Sequence, residues 1–174
     1  MAKWNIDPAH SGAGFAVRHF MLSNVKGLFQ DISGIVNYDP DDPSAIKIDA
    51  VISTSSISTG IKDRDEHLQS GDFLDVANFP EMAFVSTDAD LSDGSGTVSG
   101  DLTIRGISKP VNFDVVYFGP MVDPFESKTH IGFTATATIN RVDYGMIWNA
   151  ELEGGGVVVG NKVQITLDVE AIKE

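Results

Sequence analysis

Residues 162–171 alternate without exception: Val163, Ile165, Leu167, Val169 and Ala171 share one face, and Lys162, Gln164, Thr166, Asp168 and Glu170 share the other. This is the period of a strand with one side in a core and one in water. The same period places Val98, Leu102 and Ile104 inward against Thr97, Ser99, Asp101, Thr103 and Arg105, and continues in Val111, Phe113 and Val115 after a Gly106 to Pro110 turn. Ile46, Ile48, Ala50 and Ile52 form another such face, and Ala13, Phe15 and Val17 a further one. Turn chemistry separates these runs, in Asp-Pro-Asp-Asp-Pro at 39–43, Ser-Asp-Gly-Ser-Gly at 92–96 and Gly-Pro at 119–120. One stretch breaks the pattern. Across 58–71, Ile61, Arg64 and Leu68 recur at helical spacing, Ser58 or Thr59 is placed to cap, and Gly71 to stop, which predicts one short helix near 60–70.

Short strands at regular spacing, without repeat or linker, predict an all-β protein, either a single sandwich or a closed barrel. The 174 residues form one domain, 1–174, since domains average roughly 150 residues. A net charge of −13 repels phosphate backbones and argues against a nucleic-acid partner, and the four arginines, Arg18, Arg64, Arg105 and Arg141, form no basic cluster in sequence. The absence of cysteine removes disulfides, thiolate metal sites and cysteine nucleophiles. The longest apolar run, Val115 to Phe118, falls far short of the roughly twenty residues of a membrane-spanning helix. Asp7, Pro8 and His10 interrupt the position where a secretory leader needs an unbroken apolar stretch, so a cytoplasmic protein is expected. A leader removed and replaced by a start Met would leave the same beginning and a periplasmic protein.

The interior has two readings. Ile131, Phe133, Ala135, Ala137 and Ile139 share a face whose small residues sit mid-strand. In a sandwich, facing side chains fill the space opposite them; in a barrel of about eight strands, small inward residues leave room for one ligand. Phe15, Phe73, Phe79, Phe84, Phe113 and Phe133 supply either a core or a cavity wall.

Reactive constellations are scarce. His10, His19, His67 and His130 are widely separated, with no zinc-binding spacing, so no metal is expected. His19 shares parity with Phe15 and Val17 and points inward, as a structural histidine or as a ligand contact. Arg64-Asp65-Glu66-His67 alternates charge on a short polar helix, the pattern of a solvated face. There is no nucleophile elbow, Walker loop or dinucleotide fingerprint, and Gly154-Gly155-Gly156 leads into valines instead of a helix. No catalytic residue and no cofactor are assigned.

A series of short motifs, running the length of the chain, resembles the YceI-like family of polyisoprenoid-binding, lipocalin-like proteins. It begins with Trp4-Asn5-Ile6-Asp7-Pro8-Ala9-His10-Ser11, Phe15-x-Val17-Arg18-His19 and Val25-x-Gly27-x-Phe29. It continues through Ser56-Ile57-x-Thr59, Arg64-Asp65-x-His67-Leu68, Asp72-Phe73-Leu74-Asp75, Phe79-Pro80 and Gly100-x-Leu102-Thr103-Ile104-Arg105-Gly106. Lys109-Pro110-Val111, Gly132-Phe133, Asn140-Arg141-x-Asp143-Tyr144-Gly145 and Val159-Gly160-Asn161-x-Val163 complete it. The resemblance implies an elongated antiparallel lipocalin-like barrel whose apolar tunnel holds a polyisoprenoid or similar long-chain lipid, usually in a homodimer. It implies binding instead of catalysis. Carried onto this chain, the tunnel would be lined by Phe15, Val17, Leu102, Ile104, Phe113, Phe133 and Ala135, with Phe73, Phe79 and Phe84 near the helix. Arg18, His19, Arg64 and His67 would meet the polar head at the mouth, although outward parity for Arg18 and a solvated helix fit surface roles as well. Fatty acids, fatty amides and quinones are alternative ligands. An enzyme using His19 and an acidic partner on an apolar substrate, and a filled barrel acting through its acidic surface, are the alternative functions.

Overall fold

The computed structural model describes all 174 residues. Eleven strands and one α-helix follow in the order β1 (Ala2–Ile6), β2 (Gly12–His19), β3 (Ser23–Phe29), β4 (Ile32–Tyr38), β5 (Lys47–Ser53), β6 (Ile57–Ser58), α1 (Lys62–Gln69), β7 (Glu81–Ser92), β8 (Ser95–Ile104), β9 (Ile107–Val122), β10 (Thr129–Asn140) and β11 (Val159–Lys173). Eight of the strands close a ring, β1-β4-β5-β7-β8-β9-β10-β11, with β1 returning to β11, and β2, β3 and β6 extend the sheet from β11. Neighbours are antiparallel throughout. The sheet is therefore a closed barrel, not a sandwich, and closure leaves no free edge along the ring.

The extra strands are the second halves of bent ones. β1 and β2 run on from each other across a 3₁₀ turn at Pro8–His10, which Asp7 caps by accepting from the Ala9 N–H at 3.0 Å. β5 and β6 are likewise separated by a 3₁₀ turn at Thr54–Ser56. β6 pairs with β3 but not with β7. At this end of the barrel the gap is crossed by α1 and the segment after it, where Thr54 donates its N–H to the Pro80 carbonyl and its hydroxyl to that of Phe79.

The helix begins later than its sequence suggests. Ile61 occupies the N-cap without a side-chain cap bond, and Ser70, not Gly71, ends the helix. Thr59 instead gives its N–H and hydroxyl to the Asp65 carboxylate at 2.8 and 2.6 Å, tying the approach strand to the helix from outside the first turn.

The opposite end of the barrel is plugged by aromatic rings. Trp4 and Tyr38 are almost fully buried. Tyr38 packs edge-on against Trp4 at 6.3 Å, Tyr117 at 6.3 Å and Phe133 at 5.9 Å between ring centroids. These are the separations aromatic pairs favour. The Trp4 indole N–H donates to the Tyr38 carbonyl. One end of the barrel is shut by packing and the other is spanned by a helix and loops.

Candidate functional site: an apolar cavity with a basic mouth

Between these ends lies a cavity of about 430 Å³, lined by 41 residues of which 35 are hydrophobic. That volume falls in the ~300–1,000 Å³ range of small-molecule sites. The inward faces of β5, β8 and β11 supply much of the wall, including Ile48, Ala50, Ile52, Ile165, Leu167 and Val169. The period-two alternation builds it, because every second residue of each strand faces the lumen.

Two glycines make room for rings in that wall. A Cβ on Gly27 would lie 2.3 Å from Phe15 Cζ, and one on Gly100 would lie 2.4 Å from Phe84 Cζ. Each ring packs over the glycine of a neighbouring strand, in the space a side chain there would fill. Phe84 also meets Phe113 edge-on at 5.3 Å.

Phe15, Val17, Phe84, Leu102 and Ile104 line the cavity, as do Phe113, Phe133 and Ala135. Phe73 reaches it from the segment that crosses the mouth. Phe79 does not line it. Its ring lies over Gly106 in the β8–β9 turn, 3.1 Å from where a Cβ there would sit, and its carbonyl accepts from the Thr54 hydroxyl. Ala137, on the same strand face as Ala135, is half-buried and lies outside this cavity.

Arg18, His19, Arg64 and His67 all line the mouth. Arg18 and His19 are adjacent in β2 and should face opposite sides. They reach the same opening because the β2–β11 ladder breaks there: Val17 faces Val163, but two residues on, His19 faces Val159. Four steps on β11 oppose two on β2, which suspends the alternation as a bulge does. The His19 ring lies 4.0 Å from that of Phe20. Arg64 and His67 sit one turn apart on α1, so that the helix turns one basic stripe toward the opening. The Arg64 Nε donates to the Thr59 hydroxyl at 2.7 Å and Nη2 to the Thr59 carbonyl at 2.9 Å. His67 stands edge-on to Phe73 and Trp148, at 5.0 and 4.8 Å, and its Nε2 is 2.9 Å from the Asp72 carboxylate.

A fifth basic group, Arg141, lines the cavity as well and is only 3% exposed. It follows β10 in a 3₁₀ turn and spends all its donors on the returning loop and the first residues of β11. Nε donates to the Gly160 carbonyl at 2.8 Å, Nη1 to the carbonyls of Met146 and Trp148, and Nη2 to the Val159 carbonyl and the Asn161 side-chain oxygen. Burial pulls its pKa below the ordinary arginine value, yet a guanidinium keeps its charge at neutral pH. Arg105 plays a related part from outside, donating from Nη1 to the carbonyls of Gly71 and Phe73 and so holding the segment that carries Phe73. The motif series contained both residues, but nothing in composition or spacing distinguished them from surface arginines.

On the outer surface, the structure gathers Asp7, His10 and Glu170, with donor atoms within 4.8 Å of one another. They are held by hydrogen bonds: His10 Nδ1 is 2.7 Å from Asp7, and His130 Nδ1 is 2.6 Å from Glu170. The fold, not sequence spacing, creates this group, and it lies apart from the cavity lining.

A closed antiparallel barrel with an apolar lumen and one polar mouth defines the class of β-barrels with an internal cavity. Within that class the chain belongs to the YceI-like domain family, whose model matches residues 4–171. A UPF0312 protein of Staphylococcus aureus is 39% identical over 170 residues, covering 98% of this chain and 97% of its own length. Its counterpart in Staphylococcus epidermidis is 37% identical over the same span. Among solved structures, the Campylobacter jejuni YceI protein aligns with a TM-score of 0.74 at 29% identity, covering 90% of each chain. Burkholderia cenocepacia BcnA aligns at 0.80 and 21% identity, over 95% of this chain and 98% of its own. A polyisoprenoid binding domain from Saccharophagus degradans shares the fold at 0.69 and 15% identity over the full length of both.

Proposed function

We propose that the protein binds a single long-chain, isoprenoid-type lipid, a polyprenyl or quinone-like molecule, inside the barrel, for carriage, storage or sequestration. The observation that carries this reading is the lining: a volume of about 430 Å³ whose only polar side chains are at one end. An apolar chain gains about 0.8 kcal/mol for each methylene it buries there, and its head remains at the mouth. The description of the Saccharophagus degradans domain as polyisoprenoid-binding supports the same ligand class. A homodimer accompanies the reading, with the exposed apolar side chains Phe118, Met121, Val122 and Phe125 around the β9–β10 hairpin as its surface. Sedimentation at micromolar concentration tests that surface: a dimer that Phe125→Asp splits supports it, and a monomer removes it.

The experiment for the ligand is denaturing extraction of protein purified from its native host, followed by mass analysis of the released small molecules. A stoichiometric polyprenyl or quinone species is expected. Recovery of protein with no lipid, and no uptake of polyprenyl chains at micromolar concentration, contradicts the reading.

A further inference from the structure

The outer wall of the barrel holds a group of side chains that the cavity does not use. Along β11, β1 pairs with Ala171, Ile172 and Lys173, and β2 pairs with Asp168 and residues before it, so the two ladders leave a gap opposite Val169 and Glu170. The 3₁₀ turn Pro8–His10 bridges that gap. Hydrogen bonds clamp it around Glu170. The Asp7 N–H donates to the Glu170 carbonyl at 2.8 Å, and the Ser11 hydroxyl donates to the same carbonyl at 3.2 Å while accepting from the Glu170 N–H at 3.0 Å.

The clamp brings two carboxylates and an imidazole together from opposite ends of the chain. Asp7, His10 and Glu170 each offer a donor atom within 4.8 Å of the other two. The ligands of a tetrahedral zinc ion, each about 2.1 Å from the metal, stand about 3.4 Å apart, so these donors have to close by about 1.4 Å at most. Side-chain torsions supply that movement without the backbone. Asp7 spends Oδ1 on the Ala9 N–H, which leaves Oδ2 facing His10 Nδ1 at 2.7 Å. Glu170 is steadied by His130, whose Nδ1 lies 2.6 Å from its carboxylate. The His130 Nε2 is buried without a partner, so the ring proton belongs on Nδ1, donated to Glu170. A carboxylate held in this way by a histidine N–H has the outer support that metal ligands use. Neither carboxylate pairs with a lysine or arginine; their only ion partners are His10 and His130.

We propose that Asp7, His10 and Glu170 bind a divalent transition-metal ion, zinc fitting best, and that the ion fastens the corner between β1 and β2 to β11. An imidazole beside two carboxylates suits zinc, whereas magnesium and calcium take oxygen ligands and more of them. Water completes the coordination, because His10 faces solvent. None of the three residues lines the cavity, so the metal site stands or falls separately from the lipid reading.

The test titrates tag-free, chelator-treated protein with zinc chloride at about pH 7.5, where all three donors can shed their protons, and follows calorimetry and melting temperature. One ion should bind per chain, and the melting temperature should climb with zinc concentration. His10→Ala and Glu170→Gln should each weaken zinc binding by about a hundredfold, and His130→Phe, which removes only the support behind Glu170, by about tenfold. His10 is exposed and its removal leaves the clamp around Glu170 in place, so this variant decides the matter even where Glu170→Gln fails to fold. Magnesium and calcium at the same concentrations should leave the melting temperature unchanged. Absence of zinc binding to the unaltered protein overturns the proposal. Zinc binding that survives His10→Ala places the ion elsewhere and overturns it too, and an equal response to magnesium overturns the imidazole as a ligand.

Discussion

A guanidinium that is 3% exposed and bonded only to neutral oxygens is destabilising by itself, and Arg141 is tolerated because five acceptors are arranged around it. Its neutral replacement strands those acceptors. Arg141→Met is accordingly expected to cost about 3 kcal/mol or more in denaturant unfolding, since several buried acceptors lose their partner at about 1–3 kcal/mol each. Ala135 is the converse case, a small residue facing open volume. Ala135→Phe should suppress lipid uptake per folded molecule while costing less than the ~1–3 kcal/mol of overpacking in a filled core. Equal loss of folding, with uptake per folded molecule unchanged, takes Ala135 out of the site.

At the surface, the Asp7 hydrogen bond raises the His10 pKa above its usual value, and the same bond lowers that of Asp7. The histidine's contribution is full below its unfolded value and disappears as pH rises through the raised folded one; the aspartate's is full above its unfolded value and disappears as pH falls through the lowered one. The pair contributes most between about pH 4 and pH 6.5. His10→Asn should therefore lower the melting temperature most near pH 5.5 and by a negligible amount near pH 9, by the same linkage. A uniform loss across that range contradicts the account. At this scale the sequence was legible where alternation operates: Phe15, Leu102, Phe113 and Phe133 could be placed by parity. It misled for Phe79, whose ring packs over Gly106 in a turn that no periodicity covers, and it could not separate Arg141 from the other arginines, because its burial is decided by the returning loop and the start of β11.

Strands are where periodicity carries most information, and the β11 face of Val163, Ile165, Leu167 and Val169 lines the cavity as alternation required. What alternation cannot show is a break in its own ladder, such as the mismatch between Val163 and Val159 that turns Arg18 and His19 to one opening. The bends that divide β1 from β2 and β5 from β6 were also invisible, since each half keeps the same period. The helix was located, but its cap was misplaced, because Asp65 reaches outward to Thr59 instead of Thr59 reaching in. The glycines facing rings give an element-level prediction. A Cβ at Gly100 would also come within 2.5 Å of the Val85 carbonyl, which cannot swing aside, whereas at Gly27 the near atoms are the end of the Phe15 ring. Gly100→Ala should thus cost about 1–3 kcal/mol of stability by overpacking, and Gly27→Ala less, with Phe15 displaced into the lumen and uptake reduced. Thermal melts and lipid uptake on both variants check the contrast; equal stability losses contradict it. Arg105→Ala releases the carbonyls of Gly71 and Phe73, and hydrogen exchange across 70–79 should quicken together with the ligand off-rate.

For the molecule as a whole, a barrel plugged by Trp4, Tyr38, Tyr117 and Phe133 at one end and ringed by basic groups at the other admits a chain from one side only. Closure of eight strands was within reach of the sequence as one of two architectures, but the cavity was not, because a small residue such as Ala135 is equally at home in a filled core. In the proposed function, the apolar length buried in this lumen is what drives binding. The measurement that tests it most directly is calorimetric titration of delipidated protein with a series of alkyl chains that share one head and differ in length. One chain per protein should bind, with affinity rising about fourfold per methylene, the equivalent of roughly 0.8 kcal/mol, until the lumen is full. Affinity independent of length, or no binding at any length, contradicts the account.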